Sequence, residues 1–300
     1  MARFERYARL ELYTGSAVGG STIYKSYDFS SSYDSMNLKF NVEIPNGVDE
    51  SNKATISVCG MTKDTISEIS SYLMPEAQQT HYLSARLFAG YKDENSLRQI
   101  FAGQVTLAKP TQPPDVWLEM ECITGYDQTH EMVCKYRSFP SGIKDLYQLG
   151  ATWMGLSLDW QVKDGNNNAL SKENFAYNKS IWFFPAYMAR LFPSVVGYVD
   201  ATGKKLIVVD RDNPEIGAGA IQVSQNQNMI GIPEPSGLGV TVNVFLDTRI
   251  ERNLKIILAS ETWPKANGIY KVFSYKHIGE LRGGEWKTEL ECTPIVRWRG

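Results

Sequence analysis

The sequence predicts a mainly β protein in which two β-barrel domains flank a small α/β middle domain. Apolar and polar residues alternate over several short segments near both ends of the chain, which is typical of strands with one buried face. Between those ends, two apolar segments of helix length are each followed by a strand-like segment. We therefore predict an N-terminal barrel at residues 1–136, the middle domain at 137–215 and a C-terminal barrel at 216–300.

The first β region begins with two strands and a short helix. Apolar residues occupy every second position of NLKFNVEI (37–44) and of KATISVC (53–59), so each segment predicts a half-buried strand. In the segment that follows, isoleucines and a leucine recur at spacings of three and four, which predicts a helix. Thr62 stands just before this helix and is its expected N-cap.

Glycines interrupt the next strand candidates of the first β region. These candidates are SARLFAGY (84–91), RQIFAGQVTLA (98–108) and DVWLEMECITGYD (115–127). Gly90 and Gly103 fall inside strand-like pattern, where glycine usually marks a bulge or a bend. The region is therefore predicted to curve into a barrel that carries one short helix.

The middle domain is predicted from two units in which a helix precedes β structure. SGIKDLYQLGATWMG (141–155) has a helical apolar stripe with Ser141 as a candidate cap, and LSLDWQV (156–162) follows as a strand. KSIWFFPAYMARLF (179–192) is apolar and of helix length, and GYVDATGKKLIVVD (197–210) has the pattern of a hairpin. Two such units in tandem favour a compact α/β domain.

Strand patterns return in the last part of the chain. GVTVNVFL (239–246) alternates, LKIILAS (254–260) is continuously apolar, and a long hairpin follows from Asn267 to Cys292. The first arm of this hairpin breaks its alternation at Val272-Phe273, which predicts a β-bulge.

The sequence contains no recognisable catalytic motif, so we predict no enzyme, no catalytic residues, no cofactor and no metal site. The three histidines, His81, His130 and His277, do not stand at metal-ligand spacing. The four cysteines form no CxxC pair, and we expect free and mostly buried thiols. The pair Glu289 and Glu291 keeps a hydrolase open as a weaker hypothesis, because glycosidases use two carboxyl groups.

Charge and hydropathy narrow the classes of partner. The chain has 31 basic and 33 acidic residues, a net charge of -2 and a pI near 6.0, which disfavours a dedicated nucleic-acid or membrane-surface binder. The N-terminal segment lacks the apolar core of a signal peptide, and no run of about 18 apolar residues occurs. We therefore expect a soluble protein made in a cytoplasm, without a membrane anchor.

One aromatic segment exceeds what a small domain easily buries. NFAYNKSIWFFPAYMARLF (174–192) contains seven aromatic residues, and two interpretations remain open. The rings either pack in the core of the middle domain or form a partner-binding surface. The candidate interface residues are Trp182, Phe183, Tyr187 and Phe192.

The order of several short motifs resembles a known family. NKATISVCGMTKDTISEIS, then LFAGY, then IFAGQVT is similar to the N-terminal barrel of phage baseplate hub proteins. MIGIPEPSGLGVTVNVFLDTRIERNLKIILAS followed by NGIYKVFSYKHIGELRGGEW resembles the second barrel of that family, with its GxP step, its NGxYxV strand and its HxGxxxGGxW hairpin. The resemblance covers about two thirds of the chain.

The resemblance implies a structural role in a virion. Hub proteins of contractile tails, and the related hub part of type VI secretion spikes, form trimers in which each chain contributes two tube-like barrels. Such a homotrimer joins a sixfold tail tube protein to a threefold central spike protein and also stands near the tape measure and baseplate wedge proteins. This chain would then lie in the tail baseplate, be assembled in the host cytoplasm, and surround DNA that passes without being bound.

The C-terminal β region departs from that pattern, because it is shorter than the first and shows no helix equivalent to residues 62–73. A β-rich carbohydrate-binding or receptor-binding tail module is the alternative function. If the hub hypothesis holds, polar strand faces that contain Asn41 and Glu43, or Glu289 and Glu291, are the expected walls of the channel.

Overall fold

A computed structural model describes residues 5–14, 22–31, 36–73, 82–92, 96–137, 141–163, 170–171, 174–211 and 219–295 of the chain. Its strands are β1 (Arg6–Thr14), β2 (Thr22–Ser30), β3 (Asn37–Ile44), β4 (Lys53–Cys59), β5 (Leu83–Tyr91), β6 (Arg98–Pro110), β7 (Trp117–Ile123), β8 (Met132–Arg137), β9 (Ser141–Gly142), β10 (Ser157–Gln161), β11 (Leu170–Ser171), β12 (Phe175–Ser180), β13 (Val195–Val199), β14 (Lys205–Asp210), β15 (Ile221–Ser224), β16 (Met229–Ser236), β17 (Gly239–Phe245), β18 (Lys255–Ala259), β19 (Gly268–Glu280) and β20 (Trp286–Pro294). The helices are α1 (Lys63–Ser71), α2 (Tyr126–His130), α3 (Ile143–Trp153) and α4 (Phe184–Leu191), with 3-10 turns at Ile181–Phe183 and Pro264–Ala266.

Strands from both ends of the chain form one sheet of 13 strands. Its main path runs β16-β17-β20-β19-β3-β4-β7-β6-β5-β1-β2, and β18 with β15 extends beside the first part of β19. All of these pairings are antiparallel except the pairing of β15 with β18. The predicted mainly β class is confirmed.

Strand β19 joins the two β regions. Its first residues, Gly268–Lys271, pair with β18, whereas Tyr275–Glu280 pair with residues 39–44 of β3. A single apolar cluster lies under this sheet and contains residues of both regions, such as Val42 and Leu290. The hydrogen-bonded ladders of the described strands close neither region into a barrel, so the two barrels and the domain boundaries stay predictions.

Side-chain contacts bring the first strand back to the turn between β19 and β20. Arg6 Nη1 of β1 donates hydrogen bonds of 2.6 Å to the carbonyl oxygens of Glu280 and Gly283. The guanidinium carbon of Arg6 also lies 5.7 Å from the ring centre of Trp286. The sheet therefore curls, and the Arg6 side chain of β1 contacts the last hairpin of the chain.

The middle segment has its own apolar core, which contains Tyr147, Phe184 and Leu206. Helices α3 and α4 pack there against the three-stranded sheet β10-β14-β13 and against β12. The predicted helix over residues 179–192 is too long at its start, because β12 continues to Ser180 and a 3-10 turn follows. Pro185 lacks an amide proton and fits only the first turn of a helix, which places the start of α4 at Phe184.

Local predictions elsewhere are mostly confirmed. Thr62 Oγ1 accepts a hydrogen bond of 3.3 Å from the amide of Thr65, so it caps α1. The register of β19 shifts between Val272 and Ser274, as a bulge requires. The N-cap of α3 is Gly142 rather than Ser141, and it makes no side-chain hydrogen bond to the helix.

The glycines of the first β region serve close packing. The register shifts of β5 and β6 lie at Leu87/Phe88 and Val105/Leu107, near the two glycines but not on them. A Cβ atom on Gly90 would lie 2.6 Å from the carbonyl oxygen of Ser96, and one on Gly103 would lie 2.7 Å from the carbonyl carbon of Ile123. Both positions therefore require glycine, because the backbone of Ser96 or of Ile123 lies too close to leave room for a side chain.

Candidate functional site

The two β regions share the side of the sheet that faces away from the core. We call it the polar face, and define it by the outward side chains of β4, β3, β19, β20 and β17. Successive residues of a strand point to opposite faces, so the alternation seen in the sequence places one polar set here. The set comprises Lys53, Thr55, Ser57, Lys39, Asn41, Glu43, Ser274, Lys276, Glu280, Lys287, Glu289, Glu291, Thr241 and Asn243, together with the apolar residues Ile278 and Phe245.

The register makes this face continuous across the joint between the two β regions. Lys53 stands opposite Glu43, Glu43 opposite Lys276, Lys276 opposite Glu289, and Glu289 opposite Asn243. Basic and acidic residues thus alternate across neighbouring strands, and opposite charges on directly paired residues stabilise a sheet.

Several of these charges form direct pairs. Lys276 Nζ lies 2.7 Å from Glu43 Oε1, and this hydrogen bond lowers the pKa of the Glu43 carboxyl. Lys287 Nζ lies 2.9 Å from Glu289 Oε1 and 2.8 Å from Glu285 Oε1, which together raise the pKa of the Lys287 ammonium. Lys276 and Lys287 are therefore paired with carboxylates.

All four residues expected to line a channel lie on the polar face, namely Asn41, Glu43, Glu289 and Glu291. Period-2 alternation predicts which residues share a strand face. It does not predict that β3 pairs with β19, and this pairing is what brings the two pairs of residues onto one surface. Glu291 Oε2 also accepts a hydrogen bond of 2.8 Å from Ser274 Oγ.

Beneath the polar face, His277 belongs to the core of the joint. Its side chain is 2% exposed, and its Nδ1 lies 2.8 Å from Thr288 Oγ1. Burial lowers the pKa of His277 to about 4, so the imidazole is neutral near pH 7. His130 packs edge-on against Tyr126 in α2, with ring centres 5.0 Å apart, and His81 lies outside the described residues.

The described part of the chain contains no group of three or more His, Cys, Asp or Glu side chains that could hold a metal ion. The four cysteines are free. Cys122 and Cys292 are buried, and burial raises the pKa of both thiols, whereas Cys134 is exposed and Cys59 is half-buried.

The predicted aromatic interface divides into buried and exposed rings. Trp182 is only 5% exposed and packs so closely on Gly125 that a Cβ atom there would lie 1.9 Å from its ring. Trp182 therefore belongs to the core of the middle segment, and its assignment to an interface is corrected for that reason. Phe183 is 40% exposed, while Tyr187 and Phe192 are half-buried, so an interface remains a prediction for these three.

Sequence reasoning missed a buried arginine where three parts of the chain meet. Arg252 is 6% exposed, donates a hydrogen bond of 2.8 Å from Nη1 to the Pro45 carbonyl, and lies 4.1 Å from the ring centre of Tyr198. The Tyr198 hydroxyl donates to the Arg252 carbonyl at 3.0 Å. Burial lowers the pKa of Arg252 to about 10. Nothing in the local sequence ERN signals this role, because the partners are distant in sequence.

Across the described residues, the helices are all too short or too polar to span a membrane.

Comparisons with known proteins agree on the class of molecule. The profile of the baseplate hub gp41 family matches residues 22–292. No curated protein matches the sequence.

Solved structures share the fold at low sequence identity. A tail protein of Neisseria meningitidis MC58 has a TM-score of 0.58 at 8% identity, covering 96% of both chains. The 43 kDa tail protein of prophage MuSo2 from Shewanella oneidensis has a TM-score of 0.59 at 7% identity, covering 95% of this chain and 98% of that one. A type VI secretion system component of E. coli, described as similar to the T4 tail proteins gp27 and gp5, has a TM-score of 0.56 at 9% identity, covering 87% and 74%.

These likenesses show the fold, and the family match covers most of the chain and confirms the resemblance found in the sequence. The chain belongs to the baseplate hub gp41 family of phage tail structural proteins.

Proposed function

We propose that the protein acts as a homotrimeric baseplate hub that adapts a sixfold tail tube to a threefold central spike and surrounds the DNA path. Family membership supports the structural role in a tail. The observation that carries the finer proposal is the joint between β3 and β19, where residues 39–44 pair with Tyr275–Glu280 within one chain.

Two joined β regions in each chain would suit a sixfold partner. Three chains with two similar β regions each would present six units to a sixfold tube, which one β region per chain could not do. Within a chain, β3 and β19 would join two such units by an unbroken ladder. Between chains, the ends of the sheet at β2 and β16 would lie at the boundaries of neighbouring copies, where each β region would complete a tube-like barrel.

The polar face suits the wall of a channel for DNA. Contacts between lysine or arginine and phosphate release counterions and strengthen binding, so a basic wall would retain the DNA. On the polar face, Lys276 and Lys287 are paired with glutamates, and Glu291 adds negative charge. DNA would therefore pass without specific binding.

The partners in this proposal are the tail tube protein and the central spike protein, with tape measure and baseplate wedge proteins nearby. The protein would be a non-enzymatic part of the virion, assembled in the host cytoplasm. Among the described residues, the exposed rings of Tyr82, Tyr136, Phe183 and Phe245 lie on separate elements, which does not favour the alternative of a carbohydrate-binding or receptor-binding module.

Native mass spectrometry tests the proposal, with the purified protein measured alone and after mixing with its tail tube and spike proteins. We expect three copies of the chain in the complexes. A chain that stays monomeric or dimeric in every mixture contradicts the hub proposal.

Titration with duplex DNA at low and moderate salt tests the channel separately. We expect weak binding at both salt concentrations. Submicromolar affinity that falls steeply with added salt would exclude a passive wall.

A further inference from the structure

A cleft of about 1000 Å³ opens where β3 ends and β19 continues beyond it. It includes one end of the polar face, with Glu43, Lys276 and Glu291 among its lining residues, and lies between the loop after β3, the helix α2 and the bulged part of β19. This volume is at the upper end of the range of ligand-binding clefts in proteins.

The floor of the cleft is apolar. Ile123, Tyr126 and Phe273 line it and are half-buried, yet none of the three apolar clusters formed by the described residues includes them. Phe273 is the additional residue of the β19 bulge, and bulges redirect side chains that regular alternation would place elsewhere. The bulge thus supplies an aromatic side chain to the cleft.

The rim of the cleft is acidic. Asp49, Glu50 and Glu291 contribute carboxylates, while Lys276 is held by its ion pair of 2.7 Å with Glu43. The other basic side chains in the lining are Lys53 and His130, so the four carboxylates, with Glu43 included, outnumber the three basic groups. This charge disfavours a nucleic acid as the occupant and favours a cationic one.

We propose that the cleft binds an extended segment of another protein, with an aromatic or aliphatic anchor on the floor and lysine or arginine at the rim. Buried aromatic anchors with a charged rim are the usual composition of protein interfaces. The anchor would pack against Phe273 and Tyr126, and the cationic side chains would approach Asp49 and Glu291. The cleft is formed by one chain, so peptide binding there does not depend on the trimer of the hub proposal and can be tested on the isolated protein.

Fluorescence anisotropy with two labelled synthetic peptides tests the proposal. One peptide has a central tryptophan flanked by lysines, and the other has glutamates in place of the lysines. We expect the lysine peptide to bind more tightly than the glutamate peptide, and its affinity to fall with added salt because exposed charges are screened.

Two substitutions locate the binding site. Phe273→Ala should weaken the lysine peptide about tenfold or more, and Asp49→Asn should weaken it by a smaller factor. Phe245→Ala is the matched control, since this ring is 43% exposed and lies outside the cleft. Thermal melting checks that each variant is folded.

Equal binding of the two peptides, or no binding of either, overturns the proposal. So does an affinity that neither Phe273→Ala nor Asp49→Asn changes relative to Phe245→Ala. If Phe273→Ala fails to fold, Asp49→Asn and the salt series decide. The oligomeric state of the protein plays no part in these outcomes, so failure here leaves the hub proposal intact.

Discussion

The joint between the two β regions and the attachment of the middle segment are built in different ways. At the first, six residues of β3 pair with six of β19, and one apolar core continues beneath them. At the second, the middle segment keeps its own core. It meets the sheet through Tyr198 of β13, whose ring lies against the buried Arg252 guanidinium, and through the turn after β13. In that turn the Ala102 amide donates to the Ala201 carbonyl at 3.0 Å, and Lys204 Nζ donates to Gln99 Oε1 at 3.0 Å.

The two kinds of connection predict which parts of the chain unfold together. A shared core and a continuous ladder couple the two β regions, so damage at their joint should destabilise both at once. Among the described residues, the middle segment has a separate core and none of its strands pairs with the 13-stranded sheet, so it should lose structure in a transition of its own.

Trp286→Ala should cause the largest loss. The Trp286 side chain is 4% exposed and packs edge-on against Phe40, with ring centres 5.3 Å apart, at the joint. Truncation of a buried tryptophan costs about 3–5 kcal/mol of unfolding free energy. Urea denaturation followed by fluorescence and circular dichroism should show both β regions unfolding at lower urea. The exposed Phe245→Ala should change the free energy by less than about 1 kcal/mol, and an equal effect of the two variants would contradict a shared core at the joint.

Acidification should also weaken the joint, through His277. The unfolded histidine titrates near its ordinary pKa of 6.5 and the folded one near 4, because burial disfavours the charged form. The unfolded state therefore binds more protons between these values, and stability is complete above pH 6.5 and falls towards pH 4. The expected loss is about 3 kcal/mol.

Urea denaturation at a series of pH values measures this loss. His277→Gln keeps a polar side chain beside Thr288 but cannot titrate, so its stability should depend less on pH in this range. An unchanged slope in the variant would assign the pH dependence to other groups.

Gly150→Ala should affect the middle segment alone. A Cβ atom at this position in α3 would lie 2.0 Å from Cε1 of the Phe184 ring, so the ring must move. Overpacking of this kind costs about 1–3 kcal/mol. Hydrogen exchange should show faster exchange in α3 and α4 with little change in β3 and β19. Gln148→Ala, at an exposed position of the same helix, is the control. Faster exchange throughout the 13-stranded sheet in Gly150→Ala would show that the middle segment and the sheet unfold together.

Lys276→Met should have the smallest effect on stability. Its ion pair with Glu43 crosses the joint but is about half exposed on both sides, and such pairs contribute about 0–1 kcal/mol. The loss should shrink as salt is added, because salt screens exposed charges. Lys265→Met, on the exposed 3-10 turn, is the control. If Lys276→Met lowered the unfolding free energy by several kcal/mol, charge pairs would stabilise the joint more than the apolar core does.

Local sequence patterns predicted the strands better than their partners. Alternation identified β3, β4, β17 and β20, and the broken pattern at Val272-Phe273 identified the bulge, because both are properties of neighbouring residues. The pairing of β3 with β19 joins positions far apart in the chain, and no local pattern specifies it. Strands β8 and β12 were missed for the same reason, since they are short and stabilise each other across a long separation.

For the candidate site, the sequence predicted which residues share a strand face but not which strands lie side by side. The sequence indicated polar strand faces at Asn41 and at Glu289, but only the sheet register unites them. Arg252 had no recognisable pattern, because its role depends on Pro45 and Tyr198. Trp182 was placed among interface candidates because aromatic composition alone does not distinguish a buried ring from an exposed one.

Electron cryomicroscopy of the protein bound to its tail tube and spike proteins would show whether the chain forms a threefold hub around a channel. We expect three copies around one axis, each joined internally at β3 and β19, with Glu43 and Glu289 of the polar face directed towards a channel wide enough for DNA. A map in which the polar face points outwards to solvent, or in which the copies are not related by threefold symmetry, would contradict it.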